Sequence, residues 1–161
     1  MTVKEYNKAV DDYSDGVYRF ILRNIRDKEK AHDVVQDSFE KLWIKHESIT
    51  AGKVKSYLFS TAYHTMIDMI RKDNRMGKLG EDLYENLSHE NQYSDLNEIL
   101  HRAIKNLPED QRSVIILRDY EGYSYNEIAE ITGLSESQVK VYIYRGRIFL
   151  KKYIGSPEKV L

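Results

Sequence analysis

Wherever the apolar positions of this chain form a pattern, the interval is helical. Over residues 29–44, Ala31, Val34, Val35, Ser38, Phe39, Leu42 and Trp43 recur at three- and four-residue steps. This predicts a helix with one buried stripe, Trp43 included. Asp33, Gln36, Asp37 and Glu40 form a second stripe on the same helix, polar and mostly acidic, as a solvated face would be. Upstream, residues 17–25 read as a helix that turns Val17, Phe20, Ile21 and Ile25 inward. The stretch KHESITAGKVKS, with Gly52 and small polar residues, reads as a loop. Residues 57–72 return to a helix, with Leu58, Ala62, Met66 and Met69 on one side and Thr65 beside them. Tyr63, His64, Ile67, Asp68, Arg71 and Lys72 lie elsewhere on that cylinder.

The pattern fails over residues 73–96, which are polar and hold two glycines. It resumes with Leu96, Ile99, Leu100, Ala103, Ile104 and Leu107. Pro108 breaks that helix and opens another, since proline suits a first helical turn. Glu109 and Asp110 follow and favour the positive end of the new helix. Val114, Ile115, Leu117 and Tyr120 carry its apolar face, and Gly122 ends it. No segment alternates convincingly as a strand. The expected fold is all-α: two small helical domains, residues 1–73 and 96–161, joined by a flexible linker over 74–95.

The last helices have the form of a helix-turn-helix. Residues 125–131 make a short helix, 132–134 a turn, and Ser135 starts a second helix as its N-cap. Gln138 completes a capping box with it. Gly133 supplies the backbone freedom of the turn, and Ala129 is small where the second helix crosses. Ile128, Leu134, Val139 and Tyr142 sit where the two helices need apolar contact. Glu136, Ser137, Lys140, Val141, Tyr144 and Arg145 can face outward, and Gln138 lies at the same N-terminal tip. Short side chains at the tip, with cations behind them, suit a major groove. Arg147, Lys151 and Lys152 would hold DNA backbone. A plain solvated basic helix is the competing reading.

Composition narrows the function. The chain has 161 residues, 41% hydrophobic and 32% charged, with a formal net charge of -1. It is no general polyanion binder, so any nucleic-acid role must come from local charge. Leu79 to Glu98 holds six acids and no Lys or Arg, whereas Ser137 to Ser156 holds five cations and no acid. There is no cysteine, which suits a reducing, cytoplasmic setting. The N-terminal stretch lacks the apolar core of a signal peptide, and no run approaches the ~20 apolar residues of a membrane span. No phosphate-binding glycine loop, HExxH or nucleophile elbow is present. His32, His46, His64, His89 and His101 lack metal-ligand spacing. No enzyme activity, metal or cofactor is expected.

Taken together, AHDVVQDSFEKLW, VKSYLFSTAYHTMIDMIRK and LPEDQRSVIILRDYEGYSYNEIAEITGLSESQVKVYIYRGR, in this order around an acidic linker, resemble the extracytoplasmic-function group of bacterial RNA polymerase sigma factors. The resemblance covers roughly residues 13–152. It implies that Asp33, Gln36, Asp37 and Glu40 dock on a basic coiled-coil of core RNA polymerase. It implies that the loop over 48–55 captures a base flipped from promoter DNA. Tyr57, Tyr63, His64, Ile67, Asp68, Arg71 and Lys72 would contact the minus-ten element, with Asp68 and Arg71 also able to pair with each other. The helix-turn-helix would read the minus-thirty-five element, and the linker would enter the polymerase channel rather than serve as a passive tether. An anti-sigma factor is implied as a further partner, without membrane insertion by this chain. The sequence departs from the family at Tyr63-His64, where an Arg-Asn pair is common. The alternative is a stand-alone helix-turn-helix regulator with an N-terminal dimerisation or sensing domain.

Overall fold

A computed structural model describes residues 1–76 and 95–155. These residues form seven helices and no strand. The first is α1 (Val3–Ile25), longer than the pattern suggested. Its start is fixed locally: the Thr2 hydroxyl accepts from Glu5 N at 3.1 Å, and the Glu5 carboxylate accepts from Thr2 N at 2.8 Å. Apolar periodicity missed this half because, of residues 3–16, only Ala9 is buried. Asp27 caps α2 (Lys28–Ile44) by accepting from Lys30 N at 3.0 Å. Two short 3-10 turns lead into α3 (Val54–Arg75). This helix runs past the expected boundary at residue 73, and Met76 closes it by donating to Lys72 O at 3.1 Å. The rest of the expected linker, up to residue 94, lies outside the described residues.

These three helices make the N-terminal lobe. Val17, Phe20 and Ile21 of α1 meet Ala31, Val34 and Leu42 of α2 and Leu58, Ala62 and Met66 of α3, all at 2% exposure or less. Full burial of such a side chain contributes roughly 1.5–3 kcal/mol, so this trio of faces is enough to hold the lobe together. Ser38 sits in this core because its hydroxyl donates back to Val34 O at 2.8 Å.

The C-terminal lobe comprises α4 (Asp95–Lys105), α5 (Glu109–Ile115), α6 (Tyr125–Thr132) and α7 (Glu136–Ile154). Pro108 takes the N-cap position of α5, one residue ahead of its first turn. Beyond Ile115 the chain widens into a π turn over Ile116–Tyr120, where Glu121 N donates to Ile116 O at 3.1 Å. Gly122 then reverses direction at φ 76, a conformation glycine adopts without penalty. Ile104, Leu107, Ile115, Leu117, Ile128, Ile131, Val139 and Ile143 are buried together.

The buried residues of the two lobes form one continuous core. The largest contact between lobes is that of α3 with α6. Tyr123, in the turn before α6, sets its ring edge-on to Phe59 of α3, with centroids 5.3 Å apart. A buried polar link accompanies it: Ser113 Oγ donates to Asn24 Oδ1 at 3.1 Å, while Asn24 Nδ2 donates to Phe20 O at 2.9 Å. Leaving either group unpaired would cost about 1–3 kcal/mol. Ion pairs rim the contact. Glu121 takes both Arg19 (3.1 Å) and Arg23 (3.3 Å), Lys55 meets Glu127 at 3.0 Å, Lys53 meets Glu130 at 3.6 Å, and Arg71 meets Glu109 at 3.8 Å.

Candidate functional site

Local chemistry builds the C-terminal helix pair. The hydroxyl of Ser124 accepts from Glu127 N at 3.1 Å, and the Glu127 carboxylate accepts from Ser124 N at 2.9 Å. Ser135 and Gln138 repeat the arrangement at α7, at 3.1 and 2.9 Å. Between the helices Gly133 stands at φ 82, where any side chain would be strained. Thr132 seals the turn, donating to Ile128 O at 2.8 Å and accepting from Leu134 N at 3.3 Å. Gly146 lets α7 lie on α5: a Cβ there would come within 2.9 Å of Ile115.

The outward face of α7 is open. Glu136, Ser137, Gln138, Lys140, Val141, Tyr144, Arg145 and Arg147 are all exposed, and Tyr144 reaches 67%. An aromatic ring this bare gains nothing from its own fold. The side-chain carbonyl of Gln138 is committed to the cap, which leaves its amide NH2 outward. Lys140 approaches Glu136 at 3.8 Å and lies over the Tyr125 ring at 5.5 Å, with Arg118 also over that ring at 4.4 Å. Arg147 donates two hydrogen bonds to Asp119, which raise its pKa and hold its guanidinium beside the helix. Arg145 makes no ion pair among the described residues.

On α2, Asp33, Gln36 and Glu40 are exposed and Asp37 is partly covered, its carboxylate 3.0 Å from Lys41. Such an exposed pair contributes little and is easily exchanged for another partner. Trp43 corrects the sequence reading: it is not a core residue but 42% exposed. It stacks on His46 with centroids 4.2 Å apart and meets Tyr6 edge-on at 5.1 Å. Ile44 beside it is 77% exposed, and the Met1 amine donates to His46 O at 3.0 Å. The helix ends within a turn of Trp43, too early for a neighbouring element to cover that ring. An apolar and aromatic edge therefore adjoins the acidic stripe.

The seven candidates around α3 divide. His64, Asp68, Arg71 and Lys72 are exposed, and Tyr57 is partly buried. His64 sets Nδ1 2.8 Å from Ser60 O. Tyr63 and Ile67 are buried, at 8% and 5% exposure. The first stripe on α3 faces α1 and α2, but Phe59, Tyr63 and Ile67 make a second apolar row at four-residue steps. Phe59 in that row meets the C-terminal lobe through Tyr123. Burial raises the Tyr63 pKa, and the charges of Glu109 and Asp110 from that lobe add to the rise. Arg71 pairs with Glu109 of the other lobe rather than with Asp68 of its own helix.

Lys53 and Lys55 escaped the sequence reading as individual side chains. Both stand where the loop turns into α3, whose N-terminus has no side-chain cap. Lys55 Nζ also lies over the Tyr123 ring at 4.0 Å. Burial, with the charges of Glu121 and Glu127, pushes the Tyr123 hydroxyl up to about 12. Hydrogen bonds from Ser124 and from Lys55 hold the Glu127 carboxyl below its ordinary range. Two cations two residues apart before a helix were the available signal. No group of three or more metal-binding side chains clusters among the described residues, and no described helix is long and apolar enough to cross a membrane.

Comparison with known proteins matches both lobes. The family Sigma-70 region 2 matches residues 9–76, and Sigma-70 region 4 matches residues 97–150. RNA polymerase sigma factor SigV of Bacillus subtilis (strain 168) is 32% identical over 153 residues, covering 90% of this chain and 91% of the relative. ECF RNA polymerase sigma factor SigM of the same organism is 31% identical, covering 94% of each chain. Among solved structures, the sigma factor RpoE in complex with the anti-sigma factor NepR from Bartonella quintana superposes with a TM-score of 0.76. It is 26% identical and covers 96% of this chain and 99% of that one.

Proposed function

The chain belongs to the extracytoplasmic-function group of RNA polymerase sigma factors, and on that basis we propose how its surfaces divide the work of binding core polymerase and directing promoter-specific initiation. The domain over residues 1–73 docks and handles the minus-ten element, residues 74–95 connect, and residues 96–161 read the minus-thirty-five element. Asp33, Gln36, Asp37 and Glu40 meet a basic element of polymerase, where opposite charge steers encounter and sets register. Trp43 and Ile44 extend that footprint with apolar area, and an interface core favours aromatic residues.

In α7, Lys140 and Arg145 reach base edges or phosphates, Tyr144 supplies an apolar or stacking surface, and Arg147 contacts backbone. Along α3, Tyr57, His64, Asp68, Arg71 and Lys72 line the path of the melted strand. Tyr63 and Ile67 join them only if the lobes part. Opening a base costs a few kcal/mol, which aromatic and cationic contacts to single-stranded DNA offset. The protein catalyses nothing itself, acts in the cytoplasm and is restrained by an anti-sigma factor.

One observation carries this reading: a single chain combines an exposed acidic stripe on α2 with a capped helix-turn-helix whose open face is cationic. A stand-alone regulator would need no such stripe. The test is association with core polymerase followed by transcription from a randomised promoter library. Asp37→Arg should abolish association while the helical circular-dichroism spectrum persists. Unchanged affinity in that variant would overturn the docking assignment. A folded wild type that ignores core polymerase would overturn the whole reading.

A further inference from the structure

The end of α1 carries a row of cations. Arg19, Arg23 and Arg26 follow one another at four- and three-residue steps, which sets them on one face, and they line a cavity of about 280 Å³. Leu22 of the same helix, His101 and Ile104 of α4, and Tyr120 of the π turn complete its wall. The Arg23 guanidinium lies over the Tyr120 ring at 4.4 Å. The Tyr120 hydroxyl is buried without a hydrogen-bond partner among the described residues. Charge here is out of balance. Glu121, its side chain 5% exposed, takes Arg19 at 3.1 Å and Arg23 at 3.3 Å, so one carboxylate answers two guanidiniums. The other acids nearby are engaged, Glu98 with Arg102 at 3.6 Å and Asp119 with Arg147. Arg26 makes no ion pair among the described residues. Burial lowers the His101 pKa, and the charges of Arg26 and Arg23 add to the fall, so both cations stand close to that ring. Arg26 also stands at φ 56, in the left-handed region that favours glycine. Its backbone caps α1, with N–H donating to Leu22 O at 2.7 Å. The cap uses only that backbone, and the fold gives the guanidinium no partner. A strained position with an unanswered charge at the rim of a cavity points to a ligand.

We propose that this cavity binds a small organic anion built from an aryl ring and an oxyanion head group, with the head on Arg26 and Arg23 and the ring against Leu22, Ile104 and Tyr120. A guanidinium meets a carboxylate or phosphate with two parallel hydrogen bonds, and Arg26 has all of its donors to give. The apolar side chains supply the contact area that a bare inorganic ion would leave unused. Size limits the choice. Ligand cavities run from roughly 300 to 1,000 Å³, so this one holds a single ring with its head group and neither a nucleotide nor an acyl chain. Its walls come from both lobes, so an occupant adds contacts to each and acts as an effector of the free chain. Binding here requires neither polymerase nor DNA.

The test titrates the full chain with phenyl phosphate and with benzoate by isothermal titration calorimetry. The two probes share the ring and differ in the head group. Inorganic phosphate and benzyl alcohol supply each half alone. At least one aryl anion should bind with a dissociation constant below about 1 mM, within reach of a molecule this small, and each half alone should bind roughly ten-fold more weakly. The tighter of the two aryl anions identifies the head group. In NMR the His101 imidazole resonances should shift with the same concentration dependence, which locates the probe. Arg26→Gly removes the unanswered charge and suits φ 56, so affinity should fall by roughly ten-fold while the melting temperature holds or rises. Lys45→Ala, which removes an exposed cation elsewhere, should change neither. Leu22→Trp should fill the cavity and abolish binding; if that variant does not fold, Arg26→Gly decides alone. Failure of both aryl anions to bind at that strength, equal binding of either half alone, His101 resonances that stay put, or affinity that survives Arg26→Gly would each overturn the proposal.

Discussion

The two helices expected to meet promoter DNA differ in how they are supported. The start and open face of α7 are set by residues within a few positions or in the neighbouring turn: Ser135 and Gln138 cap it, Gly133 feeds it, and the outward side chains at its N-terminal half are bare. The α3 face depends on distant chain, in the C-terminal lobe. Phe59 and Tyr63 are buried where α3 meets the C-terminal lobe, and Arg71, Lys55 and Lys53 are engaged by acids of α5 and α6. A surface built by local chemistry is always available. A surface covered by tertiary contact can be regulated by whatever moves that contact.

Substitutions can break or sharpen this difference. The largest effect is expected from Lys140→Ala with Arg145→Ala. Promoter-directed transcription should fall by more than about 30-fold, since each base-edge contact carries roughly 1–3 kcal/mol. Thermal stability and the distance between lobes should not change. A fall in melting temperature would mean that α7 is less independent than its caps suggest.

Asn24→Ala acts on the other helix. It strands the buried Ser113 hydroxyl and should cost about 1–3 kcal/mol in urea unfolding, with faster proteolysis between the lobes. Next comes Gly133→Ala, which forces a side chain into φ 82 and should destabilise the C-terminal lobe by about 1–2 kcal/mol. It should leave the Asn24–Ser113 link intact, and hydrogen exchange of α1 amides would check that.

The smallest effect is one of pH. Burial, together with Arg26 and Arg23, holds the His101 pKa below its ordinary value, against the pull of Glu98. The folded state therefore binds its proton less readily than the unfolded chain. Its stabilisation is full above the unfolded value near 6.5 and is lost as pH falls through the depressed folded value. Urea midpoints should decline between pH 8 and 5.5 with a slope that His101→Gln reduces.

Much of this molecule was legible from residue order. The helix over residues 29–44, the body of α3 over 57–72, the α5 start at Pro108 and the turn at Gly133 all follow from apolar spacing, caps and glycine, which act over one or two turns; the ends of α3, at Val54 and Arg75, did not. The open face of α7 was legible for the same reason. The first half of α1 was not, because a helix held by a capping box and one buried alanine shows no stripe. Trp43 was misread because periodicity says which side of a cylinder a residue occupies and not whether another element lies there. The burial of Tyr63 and Ile67 could not be read from spacing either. Spacing placed them off the first stripe, and only the arrival of the C-terminal lobe made that side an interior.

Capping, turn geometry and the side of a helix on which a residue stands are short-range matters, settled by neighbours three or four positions away. The alignment of Glu127 and Glu130 with Lys55 and Lys53 and the Asn24–Ser113 link join positions 72 to 89 residues apart, and burial of the second α3 row likewise waits on the distant C-terminal lobe. They exist because two apolar faces remained uncovered within their own lobes and lost water by meeting each other.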